Sequence, residues 1–288
     1  MEWIELTGVS KSFGDNEAVK DLNLHIDSGI SIIQGKNGAG KSTLVSILEG
    51  LTRPDYGTVR INGIDPRENP ERIMENVSFI PESPVFFGSQ KVREFLNIYT
   101  KLNGGSQDLV EYYLTLFGIN SIVDSHFKAL SKGESQLVQI VASLSSRKRF
   151  YVMDEPNSNL DILRRGELSR EIQRMGRENG SSFLIITHIM EDVYPISDRV
   201  FIMDKGKIIS SHNTRGQLED NLINIIKLRA FNPSMISEFL SELNPEIIGQ
   251  EVIVKTQSLD KVLSLLPKEQ INSIINISST VELRNEYE

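Results

Sequence analysis

The sequence predicts an α/β fold built on a parallel sheet, followed by a smaller α+β domain. Three short apolar runs, at 30–33, 150–153 and 183–186, each end at a polar or glycine-rich turn, as strands buried on both faces do. Apolar stripes with helical spacing lie between them, at 44–51 and 137–144. Because strands alternate with helices, a parallel sheet covered by helices is the favoured arrangement.

The first domain is expected to span residues 1–220 and to contain a helical subdomain at about 84–135. Helical patterns flank the turn at 103–106 within that subdomain, and an apolar cluster at 84–87 begins it. A second domain is expected at 221–288, where strand and helix patterns alternate again. Its expected elements are strands at 226–230, 252–254 and 274–277 and helices at 235–243 and 259–266.

The composition excludes several classes of function. The 288 residues carry a net charge of -8, which argues against nucleic acid as a main ligand. They include no cysteine, so disulfides, thiolate metal sites and a cysteine nucleophile are ruled out, and the four histidines lack paired metal spacing. We find no signal peptide and no apolar run long enough to span a membrane, which predicts a cytoplasmic chain that other polypeptides would hold at any membrane.

A phosphate-binding loop follows the first buried strand. The segment Gly35-Lys36-Asn37-Gly38-Ala39-Gly40-Lys41-Ser42 matches G-x-x-x-x-G-K-[ST] between a strand and a helix, which is the setting that the motif requires. Its glycines allow backbone N–H groups to surround phosphate oxygens at the positive end of the helix. Lys41 is expected to reach the β- and γ-phosphates and Ser42 to ligate Mg²⁺, so the motif predicts a bound nucleoside triphosphate.

Two carboxylates follow the second buried strand. Asp154 and Glu155 are expected at the edge of the sheet where parallel strands present ligand contacts. Asp154 is suited to holding Mg²⁺. Glu155 is suited to the role of a general base, which accepts a proton from the water attacking the γ-phosphate.

The segment Leu130-Ser131-Lys132-Gly133-Glu134 resembles the L-S-G-G-Q signature of ATP-binding cassette (ABC) transporter nucleotide-binding subunits, and the resemblance covers residues 2 to about 215. It implies the P-loop ABC ATPase fold, with a RecA-like parallel core, an N-terminal antiparallel β part and a helical subdomain. In this family the signature binds the γ-phosphate held by the opposite subunit. The resemblance therefore implies a homodimer or heterodimer of nucleotide-binding subunits that use ATP and Mg²⁺.

Further matches follow in the family's order. His188 resembles the switch histidine that contacts the γ-phosphate, Phe13 the aromatic that stacks on adenine, and Asp161 ends a loop that crosses the dimer interface. The resemblance implies a nucleotide site of Phe13, Gly35, Asn37, Gly38, Gly40, Lys41, Ser42, Thr43, Glu82, Ser131, Gly133 and Asp161, catalysis by Glu155, His188 and Lys41, and Mg²⁺ ligation by Ser42, Asp154 and Glu82.

The sequence departs from the family pattern at three positions. Glu82 stands where a glutamine usually senses Mg²⁺ and water, and Lys132 and Glu134 replace the second glycine and the glutamine of the signature. Single residues also have structural alternatives: His188 as a structural histidine, Phe13 as a core side chain, Glu82 as a surface carboxylate, and the cluster at 84–87 as a buried patch instead of a groove for the membrane subunit.

The sequence favours one prediction of function over several alternatives. We expect a transport ATPase in which ATP closes two cassettes and the motion drives separate transmembrane permease subunits, and the C-terminal unit resembles the appendage of exporter-type subunits. The alternative is a soluble ABC ATPase acting on ribosomes or DNA, although the chain has one cassette and no long coiled coil between Lys41 and Ser131. A sensor without turnover is disfavoured by Glu155 and His188, and a GTPase by the absence of an N-K-x-D motif.

Overall fold

A computed structural model describes residues 2–83, 86, 88–190, 193–214, 222–230, 232–256, 262, 265–267 and 274–283. The chain divides into two compact units, Met1–Asn213 and Thr214–Glu288. The boundary expected between residues 220 and 221 lies outside the described residues. Within the described part of the chain, no helix is both long and apolar enough to cross a bilayer.

The first unit contains two sheets. Its strands are β1 (Glu2–Phe13), β2 (Asn16–Asp27), β3 (Ile30–Gln34), β4 (Tyr56–Ile61), β5 (Val77–Ile80), β6 (Phe150–Asp154), β7 (Ser182–Thr187), β8 (Arg199–Asp204) and β9 (Lys207–Asn213). A three-stranded antiparallel sheet has the order β2-β1-β4, and a six-stranded sheet has the order β5-β6-β7-β3-β8-β9. The three predicted buried strands are β3, β6 and β7. The larger sheet is parallel except for β9, which pairs antiparallel with β8, so it is mixed at one edge.

Six α-helices accompany these sheets in the described residues of the first unit. They are α1 (Lys41–Leu48), α2 (Pro70–Asn76), α3 (Val92–Leu102), α4 (Gln107–Leu116), α5 (Lys132–Ser145) and α6 (Ile162–Glu178). The predicted stripe of α5 is fully buried, and the expected turn at 103–106 separates α3 from α4. The stripe predicted at 44–51 was wrong at its end: Gly50 adopts a φ of 75° beyond α1, and Leu51 is 78% exposed.

The two sheets share one apolar core around α1. The indole of Trp3 on β1 stacks on the ring of Phe150 on β6, with ring centroids 4.7 Å apart. Burial of such large aromatic surfaces stabilises the contact between the antiparallel part and the parallel sheet. The core therefore fixes β2 next to the loop that follows β3, where the candidate site lies.

The second unit is a small α+β structure. Its elements are β10 (Leu222–Ala230), α7 (Pro233–Phe239), β11 (Glu246–Ile248), β12 (Glu251–Thr256) and β13 (Ile274–Leu283), with antiparallel strand order β11-β12-β10-β13. Alternate residues of β10 and β12 are buried against Ile236 and Leu240. The helix expected at 235–243 is shorter, since α7 ends at Phe239 and a 3-10 turn follows. Most of the helix expected at 259–266 lies outside the described residues, although Val262 and Leu266 are buried.

Candidate functional site

The loop after β3 is shaped by its glycines. Gly38 and Gly40 have φ angles of 83° and 103°, in the left-handed region that favours glycine, and Gly40 directly precedes the first residue of α1. A Cβ atom on Gly40 would overlap the carbonyl oxygen of Ala18 on β2. The loop is therefore held tightly against β2, with the N-terminus of α1 at its end.

Lys41 lies inside this loop and is 7% exposed. Its Nζ atom donates to the carbonyl oxygens of Gly35, at 2.6 Å, and Lys36, at 3.3 Å, and lies 3.8 Å from Oε1 of Glu155. The ammonium is thus positioned between the loop and the carboxylate that follows β6. A polyphosphate in the loop would meet both the cation and the N–H groups at the start of α1.

Glu155 and His188 come together because β6 and β7 are parallel neighbours. Asp154 pairs with Ile186 in that register, so the segments that follow the two strands leave the sheet side by side. Oε2 of Glu155 accepts hydrogen bonds from the Thr187 hydroxyl, at 2.9 Å, and from the His188 N–H, at 3.2 Å. Nδ1 of His188 lies 2.8 Å from Oε1 of Glu155. The carboxylate is thus fixed in a nearly buried position.

Negative charge accumulates at the end of β6. Burial, the largest cause, acts together with the charges of Glu155 and Glu82 to raise the pKa of Asp154 to about 6, and the charge of Lys41 opposes them. A carboxylate of this kind is stabilised in its ionised form by a bound cation. The pKa shift therefore fits a site that receives positive charge from outside the chain.

The residues present fit a magnesium ion that is shared with a ligand. Ser42, Asp154 and Glu82 offer oxygen atoms to the same cavity, and oxygen is the donor that Mg²⁺ prefers. The described residues include no group of three or more histidine and carboxylate side chains that could hold a metal ion by themselves. Phosphate oxygens and water would have to complete the coordination, as is usual for Mg²⁺ at nucleotide sites.

These groups line one cavity of about 610 Å³. Its lining residues are Asn16, Glu17, Ala18, Lys20, Asn37, Gly38, Gly40, Lys41, Ser42, Thr43, Glu82, Asp154, Glu155, His188, Lys205 and Gly206. Ten of the predicted site residues therefore meet here. Gly35 is not among the lining residues, but its carbonyl oxygen accepts the hydrogen bond from Lys41.

Six lining residues were missed by the sequence analysis. Four come from the start of β2, and Lys205 and Gly206 come from the turn between β8 and β9. The Gly206 N–H donates to the Ala39 carbonyl oxygen at 2.9 Å, which fixes the turn to the phosphate loop. A glycine between two strand patterns signals a turn, but nothing local indicates that the turn lies beside β3.

Phe13 lies outside the cavity lining, at the end of β1. Its side chain is 54% exposed, which contradicts the alternative of a core phenylalanine. It pairs across the hairpin with Asn16, which does line the cavity, and Nζ of Lys11 is 5.4 Å from its ring centroid. The ring is therefore available to solvent close to one rim of the site.

Ser131, Gly133 and Asp161 are not among the residues that line this cavity. Ser131 caps α5, and Asp161 caps α6 by accepting a hydrogen bond from the Arg164 N–H at 3.0 Å. A Cβ atom on Gly133 would overlap the carbonyl oxygen of Asn159, so the signature segment packs directly on the loop that leads to Asp161. The signature and the predicted interface loop thus lie directly beside each other.

The segment after β5 connects the cavity with α5. Glu82 lines the cavity, and the preceding carbonyl oxygen, of Pro81, accepts a hydrogen bond from Nε2 of Gln136 at 3.4 Å. Of the apolar cluster predicted at 84–87, residues 84, 85 and 87 lie outside the described residues. The ring of Phe86 is half-buried and stacks on Phe127, with ring centroids 3.9 Å apart.

Comparison with known proteins identifies relatives of this chain. A family model described as ABC transporter matches residues 19–158. The bacitracin transport ATP-binding protein BcrA of Enterococcus faecalis is 31% identical over 212 residues, which cover 73% of this chain and 69% of the relative.

Solved structures share the fold. A structure described as the ATP-binding subunit of an ABC transporter is 23% identical, covers 91% of this chain and 99% of its own, and has a TM-score of 0.67. The dimeric structure of MJ0796, a bacterial ABC transporter cassette, is 21% identical, covers 74% of this chain and 99% of its own, and has a TM-score of 0.67. The predicted P-loop ABC ATPase fold is confirmed.

Proposed function

Because the chain belongs to the ABC transporter family as an ATP-binding subunit, we propose that it hydrolyses ATP with Mg²⁺ and couples closure of two cassettes to transport. The observation that carries the proposal is the meeting of Lys41, Glu155 and His188 in one cavity. Phosphoryl transfer requires cations beside the phosphates and a group that positions the nucleophile, and these side chains supply both.

Lys41 and the N–H groups at the start of α1 bind the β- and γ-phosphates in this proposal. Glu155 accepts a proton from the attacking water, a role typically worth about 10²- to 10⁴-fold in rate. Its Oε2 atom is already engaged by Thr187 and the His188 N–H, so Oε1 is the atom assigned to the proton. His188, whose side chain is half exposed, turns from Oε1 to the γ-phosphate when the triphosphate binds.

Mg²⁺ would be held by Ser42 and Asp154, with Glu82 in reach of the ion or the water. Such an ion neutralises charge on the phosphate oxygens. In this proposal the carboxylate of Glu82 offers an oxygen atom in the place of the usual glutamine. The raised pKa of Asp154 supports the assignment, since a nearby divalent cation would relieve the unfavourable charge.

A second chain would complete the site. Ser131, Gly133 and Asp161 lie outside the cavity lining of their own chain, and the exposed Ser131 caps a helix whose positive end is suited to phosphate. We assign these residues to the γ-phosphate bound by a partner copy or a close relative, in a homodimer or heterodimer. The related cassette MJ0796 is described as dimeric. Phe13, exposed near the rim, is assigned to stacking on adenine.

Separate transmembrane permease subunits are the proposed partners, with the chain peripheral on the cytoplasmic face of the cell membrane. The C-terminal domain, proposed at 221–288, favours export because it resembles the appendage of exporter-type subunits. The alternative, a soluble ABC ATPase on ribosomes or DNA, predicts different partners. Purification from gently solubilised cells is expected to recover multi-span polypeptides; recovery of ribosomes or nucleic acid instead would support the alternative.

The test of the hydrolytic proposal is Glu155→Gln. This change keeps the size of the side chain and removes its basicity, so we expect steady-state ATP hydrolysis to fall at least about 10²-fold while ATP binding persists. Nucleotide titration and phosphate release measure the two effects separately. Undiminished hydrolysis would overturn the assignment of Glu155 as the base.

A further inference from the structure

The carboxylate of Glu134 occupies the hydrogen-bond donors of Ser131 at the start of α5. Its Oε2 atom accepts hydrogen bonds from the Ser131 N–H and the Ser131 hydroxyl, each at 2.8 Å. The Glu134 N–H in turn donates to Oγ of Ser131 at 3.2 Å. The L-S-G-G-Q signature carries glutamine at this position, so the chain has an anion where the signature has a neutral amide.

These contacts stabilise the charged form of Glu134. The hydrogen bond from the Ser131 N–H contributes most to lowering the pKa of Glu134, followed by the bond from the Ser131 hydroxyl, and the charge of Arg164 adds a smaller effect. An ionised carboxylate also interacts favourably with the positive end of a helix. The resting chain therefore carries a built-in anion at the N-terminus of α5.

A phosphate from a partner chain needs the same donors. Helix N-termini bind phosphate through N–H groups and neighbouring hydroxyls, and both such groups of Ser131 are engaged by Glu134. The negative charge of Glu134 also repels a second anion at short range. Resting on the two-chain site proposed above, we infer that Glu134 weakens the ATP-bound dimer by competing with the γ-phosphate for Ser131.

Closure then requires the carboxylate to leave Ser131. Ser131 is exposed and Glu134 is half-buried, so the side chain can move without unpacking the buried stripe of α5. Glutamine at position 134 is neutral, accepts weaker hydrogen bonds than a carboxylate, and does not repel phosphate. The residue at this position thus sets how tightly two ATP-bound chains associate.

The experiment compares full-length Glu155→Gln with Glu155→Gln/Glu134→Gln, since slow hydrolysis preserves the ATP-bound dimer. Sedimentation with Mg-ATP gives the dimer dissociation constant at about 0.05 M and about 0.5 M salt. We expect Glu134→Gln to lower that constant at least about tenfold at low salt, because charge repulsion is removed. The gain shrinks at high salt, and the ATP affinity of the monomer does not change.

Glu94→Gln is the matched control. Glu94 accepts a hydrogen bond from the Lys91 N–H, at 3.2 Å, at the corresponding position of α3, and its substitution removes one negative charge outside the proposed interface. It is expected to leave the dimer unchanged. Glu134→Ala removes the charge together with the capping bonds, and it is expected to tighten the ATP-bound dimer as well.

The outcomes separate this inference from the proposed function. A dimer that Glu134→Gln leaves unchanged or weaker, or an equal gain from Glu94→Gln, overturns the role of Glu134 and leaves the two-chain site intact. If neither the Glu155→Gln parent nor the double variant dimerises with ATP, the two-chain site and the inference are both overturned.

Discussion

Nδ1 of His188 lies 2.8 Å from Oε1 of Glu155, although the two residues belong to the ends of different strands. The parallel pairing of β6 with β7 creates this contact, and the Thr187 hydroxyl holds the other carboxylate oxygen at 2.9 Å. The side chain of Glu155 is nearly buried, and that of His188 is half exposed. The pair therefore joins a fixed carboxylate to a histidine whose half-exposed side chain has room to turn.

Removing the imidazole tests this relationship. His188→Ala is expected to lower the rate of ATP hydrolysis by roughly 10²-fold with little change in ATP affinity, because the side chain acts on the reacting groups and not on the phosphate loop. Steady-state kinetics with a nucleotide titration separates the two effects. His212→Ala removes an exposed histidine of β9 and is expected to retain normal turnover. Equal rates for the two variants would contradict the role of His188.

The buried carboxylate Asp154 predicts a pH-dependent stability. Its pKa in the folded chain is raised to about 6 from 3.8, so its contribution to stability is present below the lower value and is lost as the pH rises through the higher one. At pH 8 the ionised group therefore destabilises the nucleotide-free fold. Asp154→Asn is expected to increase the free energy of unfolding by about 1 to 3 kcal/mol at pH 8.

At pH 5 the same substitution is expected to have a smaller effect, because Asp154 is then mostly protonated in the folded chain. Urea unfolding at the two pH values, without Mg²⁺ or nucleotide, measures the difference. A variant that is no more stable than the parent at pH 8 would contradict the account of charge accumulation at the end of β6.

Close packing of the signature on the predicted interface loop gives another prediction. Gly133→Ala places a methyl group against the Asn159 carbonyl oxygen, and such overpacking typically costs about 1 to 3 kcal/mol. We expect a lower melting temperature and reduced ATP-dependent dimerisation. Gly166→Ala is the control: it lies inside α6 with open space around it, and it is expected to be neutral or stabilising. Equal melting temperatures for the two variants would refute the contact.

Local patterns predicted the parts of the fold that depend on neighbouring residues. The strands β3, β6 and β7 and the buried face of α5 follow from short apolar runs and helical spacing. The prediction failed at Leu51 because Gly50 ends the first helix earlier than the stripe suggests. The antiparallel edge strand β9 was not anticipated, since the direction of an edge strand depends on its hairpin and not on its own composition.

The site was predictable in its chemistry but not in its full outline. Lys41, Asp154 and Glu155 stand in or beside recognisable local motifs, and the structure brings them together. The contribution of Lys205 and Gly206 depends on strand order, because β8 pairs with β3 and carries the turn to the phosphate loop. The sequence analysis also missed that the carboxylate of Glu134 could compete with phosphate for Ser131. The spacing of the serine and the glutamate is nevertheless that of a capping box.

The central claim is that each hydrolytic site combines Lys41 of one chain with Ser131 of another, and mixing two inactive variants tests it most directly. Lys41→Ala and Ser131→Ala are each expected to hydrolyse ATP poorly alone. In a dimer of one with the other, one site keeps both residues and the second site loses both. Random pairing at equal amounts is therefore expected to restore up to about a quarter of parental ATP hydrolysis. Full activity of Ser131→Ala alone, or a mixture no more active than its components, would contradict the claim.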